Sequence, residues 1–473
     1  MKKRILKVIV FTICLSVILS TTVSASIGQT NYVIDNRGKV SIPVCYIPDK
    51  RIESVYEGSY INAPKNIYVD NEDNLYFADL GNNRIVKLNS NLEFVAGFSA
   101  TGTLEQPSGA FYNKEDNSLY IADTANERIV VVDSTDKIIK EFFKPDSELL
   151  GEDLSFNPSN IAIGKQGYLY VLKGQYFMQL SKNGEFKGFI GSTKVAASLM
   201  SLFIRRFASK KQKEQLVSEQ PRSYLNFTMD DNGVIYAVAS TNNAQIRKIN
   251  MVGDNIYPEK FYGEMVTDVS GKTVNPNFIS IAVSNDGIIS VLEENSKKIY
   301  QYSQDGTMLN VFGGEGEVLG YFTTPVSIAS DSQGSIYVAD SSQNSIIKFK
   351  RTSFASSVYA AQSAYDKGLY EEAYKLFSDA SSLNPNYSVL NKGIAKCLYK
   401  LDKIEEAAEA YNIADDRSGY GNMMYEIRNN FIKNNFEWIC LGIALTIAVA
   451  IIVIRVLKKY SDKLIVRYYH LDE

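Results

Sequence analysis

The stretch "YFADLGNNRI", residues Tyr76–Ile85, places an aspartate directly after a short run of strand-forming residues. Related stretches recur as "YIADTANERI", residues Tyr120–Ile129, and as "YVADSSQNSI", residues Tyr337–Ile346. A catalytic residue is seldom needed three times in one chain, whereas a structural repeat uses the same turn in every unit. The recurrence therefore indicates a repeat fold, and Asp79 has to be interpreted within it.

The repeat becomes regular when each unit is anchored on a proline ahead of its second strand. The anchors and the strand residues that follow them are Pro64 and Tyr76, Pro107 and Tyr120, Pro158 and Tyr170, Pro221 and Tyr236, Pro276 and Ile289, and Pro325 and Tyr337. The turns carry pairs such as Asn232-Gly233 and Asp286-Gly287, which tolerate positive φ. Such units, with four short strands each, are typical of propeller blades.

The succession of proline, "YxAD" and "NxRI" resembles the NHL repeat, most completely in residues 62–98 and 105–142. The family folds as a β-propeller, commonly with six blades, so the resemblance implies a mainly β, six-bladed propeller over residues 26–353. The last unit supplies only three strands before helical sequence begins near Phe354. We therefore expect a strand from residues 31–60 to complete the last blade, because closing the ring removes exposed sheet edges.

Two interpretations of Asp79, Asp123 and Asp340 remain open. In the first they are a structural blade motif, because an aspartate at a strand end accepts N–H groups of the following turn. Arg84 and Arg128 follow closely enough to pair with such carboxylates. In the second, carboxylates gathered at one propeller face hold a cation, for which calcium is the candidate because oxygen ligands suffice. No other cofactor is predicted.

The two ends of the chain carry signals of export and membrane anchoring. Residues 1–25 combine a basic start, an apolar run and the small residues Val23–Ala25, which predicts a signal peptide, with an uncleaved anchor as the alternative. The apolar run Trp438–Leu457 predicts one transmembrane helix over residues 437–457. The basic residues after it predict a cytoplasmic tail, 458–473, with the preceding domains outside the cell membrane. This organisation indicates a bacterial protein.

A basic amphipathic insertion, residues 194–217, interrupts the propeller repeat. Its helix either packs on its own propeller or contacts a membrane or partner. The candidate contact residues are Phe203, Arg205, Arg206, Lys210 and Lys211.

From residue 354 to 434 the hydrophobic period becomes helical. The same small and aromatic residues recur 34 positions apart, pairing Ala373 with Ala407, Phe377 with Tyr411 and Ala380 with Ala414, and Pro385 follows the first set. This spacing resembles the tetratricopeptide (TPR) repeat. The resemblance implies a segment that binds peptides or proteins, or, with only two repeats, a rigid spacer. The following "GYGNMMYEIRNNFIKNNF" is expected to form a capping helix.

Composition excludes several functions. The chain has 473 residues, a net charge of −3 and one histidine, His470, so it offers no electrostatic support for nucleic-acid binding. Without a histidine in the exported part, Ser-His-Asp hydrolysis, His-ligated zinc and a His general base are excluded. For Cys45 and Cys397 we favour free, buried thiols over a disulfide.

Two classes of function remain. The first is a binding or scaffold protein whose propeller and TPR segment hold a protein or glycan. A narrower version of this hypothesis makes the chain an accessory subunit of a transport or envelope complex. The second is an oxygen-ligated metal enzyme, since propellers with similar blades include gluconolactonase-like lactonases and lyases. Fold resemblance alone does not decide between them.

Overall fold

The computed structural model describes residues 31–147, 150, 155–174, 176–190, 223–251, 253–268 and 270–469, with side chains described up to residue 464. The predicted signal peptide, the insertion 194–217 and His470 lie outside the described residues. The chain divides into two compact units. The first is a β-propeller that ends at Ser356, and the second is a helical unit from Ser357 onward that also includes Asp35–Gly38.

Short strands precede the first blade: β1 (Tyr32–Asp35), β2 (Gly38–Ser41), β3 (Tyr46–Ile52), β4 (Ser54–Tyr56) and β5 (Ser59–Tyr60). Blade 1 consists of β6 (Pro64–Val69), β7 (Leu75–Asp79), β8 (Arg84–Leu88) and β9 (Phe94–Phe98). Blade 2 consists of β10 (Pro107–Asn113), β11 (Ser118–Asp123), β12 (Arg128–Val132) and β13 (Ile138–Phe142).

Blade 3 consists of β14 (Pro158–Ile163), β15 (Leu169–Lys173), β16 (Tyr176–Leu180) and β17 (Phe186–Phe189). Blade 4 consists of β18 (Tyr224–Met229), β19 (Ile235–Ala239) and β20 (Ile246–Ile249), and is followed by the hairpin of β21 (Val266–Thr267) and β22 (Thr273–Val274). Blade 5 contains β23 (Phe278–Val283), β24 (Ile289–Glu293), β25 (Lys298–Tyr302) and β26 (Met308–Gly313). Blade 6 contains β27 (Pro325–Ser330), β28 (Ile336–Asp340) and β29 (Ser345–Arg351), together with β3.

The ring is closed by the N-terminal strand β3. It pairs antiparallel with β29, from Ile52 opposite Ile346 to Tyr46 opposite Arg351. The innermost strand of each blade contacts that of the next, and the innermost strand of blade 6 contacts that of blade 1. The six-bladed propeller and its closure by a strand from residues 31–60 are thus confirmed.

Three details of the predicted repeat differ from the structure. Blade 4 has three strands within the described residues, whereas four were expected. Its first strand begins at Tyr224, while Pro221 lies outside the described residues. The first strand of blade 5 begins at Phe278 and not at Pro276. In addition, β1 pairs with β26 and β2 with β1, so that two further strands extend the outer edge of blade 5 into a six-stranded sheet.

The hydrophobic core lies between successive blades because each sheet presents apolar side chains on both faces. Between blades 1 and 2, for example, Ala78 and Ile85 belong to the same buried cluster as Ile121. Between blades 5 and 6 the filling is aromatic, and Tyr46 stacks on Phe312 with ring centroids 4.8 Å apart. The N-terminal strand therefore contributes both backbone hydrogen bonds and packing.

A polar belt crosses the innermost strands at their third residues: Asn66, Gly109, Asn160, Asn226, Ser280 and Ser327. Asn160 Nδ2 donates to Asn226 Oδ1 over 2.8 Å, and Asn226 Nδ2 donates to Ser280 Oγ over 3.0 Å. Ser327 Oγ donates to Asn66 Oδ1 over 2.8 Å and lies 3.4 Å from Ser280 Oγ. The strand register shifts next to every belt residue, as a β-bulge does when it redirects a side chain. The belt therefore links five of the blades by side chains.

At blade 2 the belt position is a glycine for a steric reason. A Cβ at Gly109 would lie 2.8 Å from the backbone oxygen of Ser159 and 3.2 Å from the Cα of Asn160. Strands β10 and β14 therefore approach more closely than any side chain permits.

The second unit is helical and comprises α1 (Ser353–Asp366), α2 (Tyr370–Leu383), α3 (Ser388–Lys400), α4 (Ile404–Ile413), α5 (Arg417–Asn434) and α6 (Phe436–Tyr469), of which α1 begins at the end of the propeller. Helices α2 to α5 pack in sequence, each against the next. Phe377 packs on Gly393, where a Cβ would lie 2.7 Å from the ring, and Tyr411 packs in the same way on Gly419. The TPR aromatics thus fill spaces that the glycines of the following helix leave open, and α5 follows the repeats as the expected capping helix.

One helix of the described chain, over Phe436–Leu464, is long and apolar enough to cross a membrane. None of its apolar side chains is buried within the described part of the chain, so they are available to face lipid.

We predict that Gly109→Ala lowers the free energy of unfolding by about 1–3 kcal/mol, because the new methyl group collides with backbone and not with a movable side chain. Chemical denaturation of the purified full chain, followed by circular dichroism, measures the change. Gly97→Ala is the matched control, since a Cβ there meets only the Phe94 ring at 3.9 Å. Equal stability of the two variants would contradict the close approach of β10 and β14.

Candidate functional site

The innermost strands enclose a cavity of about 830 Å³, lined by residues of all six blades. Its deep end is the polar belt, of which Asn66, Asn160, Asn226 and Ser280 contribute to the lining. Its mouth is formed by the turns that follow the innermost strands, for example Asp70–Asp73. The volume lies in the range of sites that hold small ligands or inserted side chains.

Acidic residues predominate at the mouth of the cavity. Its lining contains the carboxylates Asp70, Glu72, Asp73, Glu115, Asp230, Asp231 and Asp331 and the lysines Lys114, Lys165 and Lys248. Some of these carboxylates shape their own turns, since Asp70 Oδ1 accepts the N–H groups of Glu72 and Asn74 over 2.9 Å. Asp230 and Asp331 form the same kind of turn in blades 4 and 6.

Three of the remaining carboxylates accept no hydrogen bond from the N–H groups of a turn. Glu72, Glu115 and Asp231 are exposed, and within the described part of the chain their side chains have no hydrogen-bond or ion-pair partner. They come from blades 1, 2 and 4, so uncompensated negative charge surrounds the opening.

Aromatic side chains form the cavity wall at blades 1 and 2. Tyr68 and Phe111 line the cavity with ring centroids 5.0 Å apart, and Tyr112 beside them stacks on Tyr76. Burial, together with the charges of Asp70 and Asp231, raises the pKa of the Tyr68 hydroxyl, so this group stays neutral at physiological pH.

A lysine already lies over a tyrosine in this wall. Lys248 Nζ is 5.5 Å from the centre of the Tyr236 ring and donates to Gln304 Oε1 over 2.7 Å. The same cross-strand pair of tyrosine and lysine recurs in blade 1 and blade 6. Cation–π contacts are therefore a regular feature of these blades.

The motif aspartates lie at the opposite end of the innermost strands from the cavity mouth, since Asp79 is paired with Pro64 at the start of β6. Asp79 is fully buried; Oδ1 accepts the N–H of Asn62 over 2.8 Å, and Oδ2 accepts Arg84 Nε over 2.8 Å and Asn82 Nδ2 over 2.9 Å. Each carboxylate oxygen is thus engaged within its own blade.

Asp123 repeats this arrangement with the N–H of Glu105, with Asn126 and with Arg128 Nε, the last over 2.7 Å. Asp340 has Ser345 where the other blades have arginine, and it accepts backbone N–H groups from Thr323, Thr324, Ser342 and Gln343.

Blades 3, 4 and 5 each have a different residue in place of the motif aspartate. Glu293 of blade 5 accepts the N–H groups of Asn277 and Ser296, so a glutamate takes the place of the aspartate. The equivalent positions, opposite the first residue of the innermost strand, are Lys173 in blade 3 and Ala239 in blade 4. A carboxylate ring around this face is therefore interrupted.

No group of three or more His, Cys, Asp or Glu side chains suited to a metal ion occurs among the residues that the structure describes. The calcium hypothesis for Asp79, Asp123 and Asp340 thus has no assembled ligand set there. Cys45 and Cys397 are buried, and neither is part of a disulfide among the described residues.

The other sequence-predicted residues fall into two groups. Phe203, Arg205, Arg206, Lys210 and Lys211 lie outside the described residues. In the helical unit, Ala373, Phe377, Ala380, Ala407 and Ala414 are buried. Pro385 follows α2, and Tyr411 is half-buried.

The cavity residues were not anticipated from the sequence. The available signal was the turn after each innermost strand, "DNED", "NKED", "GKQG", "DDNG", "SNDG" and "DSQG", whose position in every unit is fixed by the repeat. These turns read as ordinary hairpin connections until ring closure brings them to one opening.

Comparison with known proteins identifies one part of the chain. The tetratricopeptide repeat family matches residues 364–417, which confirms the TPR segment within the helical unit. The comparison with curated proteins gives no match.

Among solved structures, the chain is similar to a streptogramin B lyase, at 16% identity and a TM-score of 0.37 over 60% of this chain and 78% of that one. It is also similar to virginiamycin B lyase from Staphylococcus aureus, at 13% identity and a TM-score of 0.41 over 68% and 96% of the two chains. A third is the β-propeller domain of Cps50 (Swd1) from Myceliophteria thermophila, at 10% identity and a TM-score of 0.41 over 64% and 99%. At these values the likeness supports no statement about activity.

We predict that Asp79→Asn lowers the free energy of unfolding by about 2–4 kcal/mol, because it leaves Arg84 without its buried partner and turns an amide toward backbone donors. Urea denaturation of the full chain provides the measurement. Asp231→Asn, at a carboxylate without such bonds, is expected to change stability by less than about 0.5 kcal/mol. An Asp79→Asn variant as stable as the unmodified protein, but with a lost bound metal, would contradict the structural interpretation.

Proposed function

We propose that this chain is a membrane-anchored, extracytoplasmic binding or scaffold protein whose propeller holds a partner protein at the cavity mouth. The observation that carries this proposal is the cavity itself, open at one face and surrounded by side chains that the fold does not use. The TPR segment supports the same class of function, since such repeats generally bind peptides or proteins. A propeller and a TPR segment in one chain provide two interaction modules.

Three features of the sequence extend the proposal. The repeated "YxAD" and "NxRI" stretches favour blades of the NHL type, and residues 1–25 favour export in a bacterial cell. The apolar helix Phe436–Leu464 could span a membrane, and the basic residues beyond it favour a cytoplasmic C-terminus. On this basis the partner would be a component of a transport or envelope complex, with the chain as its accessory subunit.

A photo-activated cross-linker placed at Asn71 tests the binding function. Asn71 is exposed at the cavity mouth, whereas Glu105 is exposed near the opposite face, beside Asp123. We expect the full chain, activated in its native cells, to give one discrete cross-linked species from Asn71 and none from Glu105. Equal labelling from both positions would contradict a partner held at the cavity mouth. A stoichiometric divalent metal in the purified chain, with no cross-link at all, would favour the metal-enzyme alternative.

The orientation in the membrane gives a second prediction. A membrane-impermeant maleimide should label Glu57→Cys in intact cells but Lys459→Cys only after permeabilisation. Both variants also carry Cys440→Ser because Cys440 is exposed, whereas the native Cys45 and Cys397 are buried and contribute little background. Labelling of Lys459→Cys in intact cells would reverse the proposed topology.

A further inference from the structure

The mouth of the propeller cavity has the charge and the size to bind a positively charged peptide segment. Seven carboxylates face three lysines in its lining, and one of the lysines, Lys248, is already bound to Gln304. Glu72, Glu115 and Asp231 have no partner within the described residues, although they come from three blades and point to one opening. Like charges held around one opening attract a cation, because it relieves their mutual repulsion.

The aromatic wall favours the same ligand. Tyr68 and Phe111 line the cavity beside this acidic opening, and the pKa of Tyr68 responds to Asp231 of blade 4 as well as to Asp70. A cation entering here would meet aromatic rings beside carboxylates. The aromatic part of this contact is already present once in the wall of the same cavity, where Lys248 lies over the Tyr236 ring.

The deep end of the cavity is neutral and polar. Asn66 accepts from Ser327 through its Oδ1, and its half-buried amide group borders the cavity. Asparagine side chains at the end of an acidic opening suit the backbone and side-chain donors of a peptide better than a bare metal ion, whose carboxylate cluster is not assembled in the described residues.

We propose that the cavity mouth receives a basic peptide segment, a loop or terminus carrying lysine or arginine, from the partner protein. This inference rests on the proposed binding function and specifies its ligand. Because the contributing carboxylates are at the rim, their contribution is mainly to association rate and salt dependence, while the aromatic wall and the belt position the inserted side chain.

The test uses fluorescein-labelled hexalysine and the purified full chain in lipid nanodiscs, with binding measured by fluorescence anisotropy. The cavity variant combines three neutral substitutions, Glu72→Gln, Glu115→Gln and Asp231→Asn. The matched control makes the same three kinds of change at exposed carboxylates outside the cavity, Glu57→Gln, Glu317→Gln and Asp146→Asn.

We expect the cavity variant to bind hexalysine about tenfold more weakly than the unmodified chain. The control variant should bind as the unmodified chain does, and Tyr68→Leu should weaken binding without changing its salt dependence. Equal losses in the cavity and control variants would show a nonspecific effect of net charge and overturn the inference. Competition by a neutral chitin oligosaccharide, with no effect of the carboxylate changes, would assign the cavity to a glycan.

The cross-linking experiment separates this inference from the function on which it depends. A partner captured from Asn71 together with no hexalysine binding would leave the binding function standing and refute the basic ligand. Absence of both the cross-link and hexalysine binding would refute both.

Discussion

The antiparallel ladder between β3 and β29 is the interaction on which the rest of the propeller depends. It joins residues that are about three hundred positions apart in sequence, from Tyr46 opposite Arg351 to Ile52 opposite Ile346. Tyr46 is also at the centre of a buried polar network, because Gln301 Nε2 and Arg351 Nε both donate to its hydroxyl, and it donates to the Gly334 oxygen. One strand therefore supplies backbone pairing, aromatic packing and hydrogen bonds to the blade 5 and blade 6 interface.

Closure of the ring separates two roles that the sequence places close together. The buried aspartates at one end of the innermost strands are fully occupied by turns and arginines, and they hold each blade in shape. The turns at the other end meet around the cavity, where Glu72, Glu115 and Asp231 have no partner among the described residues. Between the two ends, the polar belt links blades by side-chain hydrogen bonds, and Gly109 permits a close approach of β10 and β14. Chemistry available to a ligand is therefore concentrated at the face opposite the repeated motif.

The sequence was sufficient to predict the six blades, the closing strand and the TPR segment, because each leaves a periodic signal in residue type and spacing. It was less informative where the repeat is weak. In blade 5 the anchor predicted from the sequence is Pro276, but the first strand begins at Phe278. The pairing of β1 with β26 could not be predicted, because β1 is an added edge strand that is not part of the repeated sequence pattern. The cavity could not be predicted for a related reason: Asp231 and Glu72 are surface turn residues until long-range closure brings them to one opening. Residues 194–217 remain a sequence-based hypothesis, since they lie outside the described residues.

Closure of the ring by an N-terminal strand can be measured by hydrogen–deuterium exchange on the purified full chain. We expect peptides covering Tyr46–Ile52 to exchange as slowly as those covering Ile336–Asp340 in the same blade, because both strands would open only with the blade. Exchange of Tyr46–Ile52 within seconds, while Ile336–Asp340 stays protected, would show that the strand is not part of the ring.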